Sequence, residues 1–80
     1  MKNEFSTKDF FLGVICKASK QLRLLRLDKG INKFVTFVFD DPNHIAQEII
    51  KKHWDGTLRI PSRDIIEAIN ELKTRIHSGV

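Results

Sequence analysis

The stretch Lys33–Phe39 sets Phe34, Thr36 and Val38 on one side of an extended chain and Val35, Phe37 and Phe39 on the other. Aromatic and β-branched residues at nearly every position favour a strand. Such a strand wants cover on both faces, and a chain of 80 residues is one domain with little material to supply it. Just before it, Leu22 and Leu24 alternate with Arg23, and Leu25 and Leu27 alternate with Arg26 on the opposite phase. The slip at Leu24–Leu25 predicts a β-bulge, or a strand with both faces partly covered. Asp28-Lys29-Gly30 reads as a turn. Gln21–Leu27 and Lys33–Phe39 therefore predict an antiparallel hairpin.

Helical patterns flank the hairpin. Ser6 followed by Asp9 resembles a capping box and predicts a helix from Ser6 or Thr7 to about Lys17–Lys20. Phe10, Phe11, Val14, Ile15 and Ala18 form its apolar face. Asp41 is the expected N-cap of a second helix, with Pro42 in the first helical position, Ile45, Ile49, Ile50 and Trp54 as its buried stripe, and Gly56 at C′. Ser62 is the expected N-cap of a third helix, whose seam is Ile65, Ile69, Leu72 and Ile76 and whose end is Gly79. Between them, Thr57–Ile60 is a candidate third strand, closed by Pro61. The expected class is α+β, a small antiparallel sheet packed with three helices in the order α-β-β-α-(β)-α. Phe37, Ile49 and Ile69 are expected in the core.

Charge is uneven along the chain. The net charge is +4, yet Lys17, Lys20, Arg23, Arg26, Lys29 and Lys33 face only Asp28 within residues 17–33. A basic hairpin of this kind can lie on a nucleic-acid backbone, with Lys20, Arg23, Arg26, Lys29 and Lys33 as the contact residues. The opposing reading is a strand kept soluble by long cationic side chains whose stems cover apolar atoms. A protein partner, or a homodimer covering leftover apolar surface of the second strand, is the alternative to nucleic acid.

Catalytic chemistry finds little footing. His44 and His53 are too far apart on one helix for an i, i+4 metal pair. Cys16, the only cysteine, sits in the apolar run Val14-Ile15-Cys16-Lys17, where a small buried hydrophobe is expected rather than a nucleophile. Asp40 and Asp41 are explained by helix capping, and Asp64, Glu67 and Glu71 by a polar helix face. No glycine-rich phosphate loop occurs, so no cofactor is implied. The expectation is a non-enzymatic interaction module. With no secretory pattern at the start and no apolar run of about 20 residues, a cytoplasmic location and no membrane partner are expected. Trp54, in register with Ile50, is expected in the core; an exposed Trp beside Lys51 and Lys52 would instead stack on a nucleic-acid base or anchor a partner.

Three short segments carry a family resemblance: Thr7-Lys8-Asp9-Phe10, Phe37-Val38-Phe39-Asp40 and Trp54-Asp55-Gly56-Thr57-Leu58, followed by the terminal helix. The chain resembles short uncharacterised bacterial, phage and mobile-element proteins grouped as a domain of unknown function. That resemblance implies an accessory protein of such origin and implies no particular activity.

Overall fold

The computed structural model describes residues 3–30 and 34–78. In chain order the elements are β1 (Glu4–Thr7), α1 (Phe10–Ala18), β2 (Arg23–Lys29), β3 (Val35–Asp40), α2 (Ala46–Asp55) and α3 (Ser62–His77). The expected α+β class with three helices and an antiparallel sheet is what the chain forms. The hairpin is there too, with β2 against β3 and a register shift between Leu24 and Arg26 where the leucine phase slips. Leu25 is the extra residue of that bulge.

The third strand comes from a different place. Residues 57–60 make no strand, and β1 instead pairs antiparallel with β3, so that the sheet order is β1-β3-β2. The first helix accordingly starts later than Ser6. Asp9, not Ser6, caps it, its carboxylate accepting from the N–H groups of Phe11 and Leu12. Glu4, Phe5, Ser6 and Thr7 alternate outward and inward, and the inward pair meets apolar partners on β3: Phe5 opposite Phe39, Thr7 opposite Phe37.

One face of the sheet carries the helices. Phe5, Leu24, Leu27, Val35, Phe37 and Phe39 point to it and pack with Val14, Ile15, Cys16 and Ala18 of α1. α1 packs in turn against both α2 and α3. The molecule measures 34 × 33 × 18 Å, and its shortest dimension suits one helix layer on one sheet. The other face carries Glu4, Ser6, Arg23, Arg26 and Asp28, all exposed. Val38 lies on that face yet is only 3% exposed. Its strand neighbours Ser6 and Arg26 flank it, and Arg26 reaches over β3 to Glu4 at 3.5 Å. The arginine stem thus covers the valine, and both faces of β3 are closed without a second helix layer.

Local details correct the reading of α2. Asp41 does accept helix-start N–H groups, from Ile45 at 2.7 Å and Ala46 at 3.1 Å. It does so across a turn, because His44 is left-handed at φ 54° and breaks any helix begun at Pro42. Pro42 therefore sits in the turn, and α2 begins at Ala46. Gly56 closes α2 at φ 77°, a left-handed position that favours glycine. Ser62 is the first residue of α3 and makes no side-chain cap, and Gly79 lies outside the described residues.

Phe37 and Ile49 are buried and Ile69 is half-buried. Phe37→Ala is expected to cost about 3–5 kcal/mol and Ile49→Ala about 2–5 kcal/mol, with Ile69→Ala below either. Gly13 adds a sharper test. A Cβ there would lie 3.1 Å from the Phe37 ring, which is fully buried and has nowhere to shift. Gly13→Ala should therefore destabilise by about 1–3 kcal/mol, despite the ~1 kcal/mol by which alanine is the better helix former. Urea melts of the variants decide. A Gly13→Ala chain as stable as the wild type would mean that the ring moves aside.

Candidate functional site: an apolar groove and a divided basic segment

Helix α1 is apolar nearly all round, through Phe10, Phe11, Leu12, Val14 and Ile15. The sheet can cover only part of that surface. The remainder forms one wall of a groove of about 630 Å³, between α1, the C-terminal end of α2, the segment after Gly56 and α3. Leu12, Ile15, Leu58, Ile60, Ile65 and Ile69 line it, all buried or half-buried. Two aromatic side chains stand at it and largely in solvent: Phe11 at 67% exposure and Trp54 at 72%. Asp9 on the α1 side and His53 on the α2 side are its ionisable residues.

Trp54 is thus not a core residue. On α2 the buried positions are Ala46 and Ile49, and the next residue in their register, one turn on from Ile49, is His53. At roughly 100° per residue, Trp54 falls beyond the flank that the half-buried Ile50 occupies. Its indole rests instead on the His53 ring, with centroids 4.9 Å apart. Phe11 is held similarly, edge to face with Phe10 at 5.5 Å, and Phe10 in turn meets Phe37 at 6.1 Å. Both exposed rings are therefore held by a neighbouring ring.

The basic segment is split up in space. Lys20 lies in the α1–β2 loop, left-handed at φ 61°, with its ammonium 3.4 Å from Asp64. Arg26 lies across the open sheet face, its Nε 3.1 Å from Asp28 and its Nη1 3.5 Å from Glu4. The Asp28 carboxylate, with help from Glu4, raises the guanidinium pKa further above its ordinary value. Arg23 and Lys29 are exposed at opposite ends of β2, roughly 20 Å apart at 3.3 Å per residue. Lys33 lies outside the described residues. Among the described residues, Arg23 neighbours Arg26 on the open sheet face, and Lys20 and Arg23 line a shallow hollow of about 450 Å³ with Lys17 and Arg75. Glu71 forms ion pairs with both of these last two, at 3.2 and 3.7 Å.

The groove was not singled out from the sequence, although the signal was present. A helix apolar on more than one stripe has more to bury than one sheet face can take. Among the described residues no cluster of three or more His, Cys, Asp or Glu side chains could hold a metal ion, and no helix is long and apolar enough to cross a membrane. Compared with protein-family models, with curated proteins and with solved structures, the chain matches none.

Cys16 is fully buried, as expected. Burial, helped by the Asp41 carboxylate, pushes its thiol from the ordinary 9.0 up to about 12. Below pH 9 both the folded and unfolded chains keep the proton, and this contribution to stability is constant. Above it the unfolded chain ionises first, so stability falls as pH climbs from 9 towards 12. Melting curves through that window should show a steeper decline for the wild type than for Cys16→Ala. A thiol reagent should modify Cys16 only on unfolding. Rapid modification of the folded protein would contradict this environment.

Proposed function

We propose that this chain is a non-enzymatic protein-interaction module whose docking surface is the apolar groove at Phe11 and Trp54. The observation that carries the reading is the exposure of two ring-braced aromatic side chains beside an apolar cavity. Large apolar groups left in water beside a hollow mark contact surfaces on folded domains. Tryptophan is the residue type most enriched among those that dominate binding energy. Rings already held in place also lose little freedom on binding, which favours affinity. An accessory role of bacterial, phage or mobile-element origin, which the sequence resemblance implies, is compatible with such a module.

The nucleic-acid reading has less geometric support. Two of its five residues, Lys20 and Arg26, are engaged with carboxylates of the chain itself. Arg23 and Lys29 stand at opposite ends of a strand rather than in one patch. A nucleic-acid backbone is best tracked by a continuous basic surface.

Photo-crosslinking in cells separates the two. A photoreactive amino acid in place of Phe11 or Trp54 is expected to trap a protein. The same group in place of Asp28, on the open sheet face, is expected to trap none. No protein adduct from the groove, together with oligonucleotide binding at low salt that Lys20→Glu and Arg23→Glu abolish, would replace this reading with the nucleic-acid one.

A further inference from the structure

We infer that the occupant of the groove is a second copy of this chain, docked about a two-fold axis running along the groove; the inference rests on the groove being a docking surface.

The first argument is that knob and hole share one patch. Trp54 is 72% exposed, so its indole leaves its own groove largely unfilled. A symmetric pair requires the same surface on both copies to be complementary to itself. A groove flanked by its own projecting indole meets that requirement, since each copy offers the other both features.

Charge selects the axis. The α1 side carries Asp9 and the α2 side carries His53. Rotation about an axis along the groove sets the α1 side of one copy against the α2 side of the other. The wall with Asp9 then faces the wall with His53 twice, and the wall with Trp54 faces the one with Phe11 and Leu12. The other in-plane axis would set Asp9 against Asp9. Only one oxygen of Asp9, Oδ1, caps α1, so Oδ2 remains to accept from an imidazole N–H.

The surroundings agree. Ile66, 57% exposed, lies one residue on from the groove-lining Ile65 and widens the apolar surface along α3. The open sheet face is the weaker rival: Phe34 at its end is 64% exposed, but Glu4, Arg26 and Asp28 there are charged and already paired with one another.

Sedimentation of the full chain, from low-micromolar to near-millimolar concentration, tests the inference. The expected result is a rise from the 9.3 kDa monomer towards twice that mass, with a blue shift of Trp54 emission over the same range. Trp54→Lys should remain monomeric throughout and His53→Glu should weaken association at least tenfold. Asp28→Lys should associate as the wild type does. Circular dichroism confirms that each variant is folded, and Trp54 is exposed enough for its replacement to be tolerated. A wild-type chain at monomer mass throughout overturns the second copy, as does a dimer indifferent to Trp54→Lys. The neutral apolar dye N-phenyl-1-naphthylamine then separates the two readings. A monomer that binds the dye, and loses it in Trp54→Lys, keeps the groove as a docking surface for a different protein. A monomer that binds none overturns both.

Discussion

Phe37 occupies the middle strand, and its ring lies against the backbone of Gly13 where any side chain would crowd it. That contact lets α1 come close to the sheet, and the rest of the helix layer depends on it. α2 and α3 each pack on α1. Residues 57–61 bridge the two helices in sequence, while the space between them is left partly open. The groove is therefore a consequence of how the layer is assembled: two helices lean on a third, and the apolar flank of the third faces the gap. Leu12 and Ile15 reach that gap because the same helix already presents Val14, Cys16 and Ala18 to the core.

Much of this was legible in the sequence. The hairpin, the bulge at the leucine phase slip, the glycine closing α2 and the seam of α3 all arise from short-range patterns that the fold retains. β1 was not legible because four residues give little alternation to read, and Ser6 and Thr7 are also ordinary helix-start residues. Its strand character comes from pairing with β3, a contact far away along the chain, and tertiary context decided it. Trp54 does keep the helical spacing from Ile50, but spacing from Ile50 is not spacing from the core. Ile50 itself lies on the flank of α2, and a further turn from there leads outward.

Charge shows the same difference between a line and a surface. Counted along the chain, residues 17–33 are strongly basic. In the folded protein, carboxylates from elsewhere come to meet them: Glu71 and Asp64 from α3, and Glu4 from β1. Exposed pairs of this kind contribute little to stability. They do, however, leave fewer cations available to an outside phosphate. Arg26 has a further role, since its stem shields Val38 on a face that no helix covers.

The pairing of β1 has a bearing on the order in which the molecule assembles. β2 and β3 are close in sequence and can meet early, whereas β1 must close a loop around α1 and β2, which is entropically slower. When it arrives, it does more than add an edge to the sheet. The Asn3 carbonyl accepts the Asp41 N–H at 2.7 Å, and Asp41 is the buried residue whose carboxylate starts α2. The N-terminal strand thus clamps the entrance to a helix that is distant in sequence. The edge of the sheet and the start of the helix that carries Trp54 are tied through a single residue, Asp41.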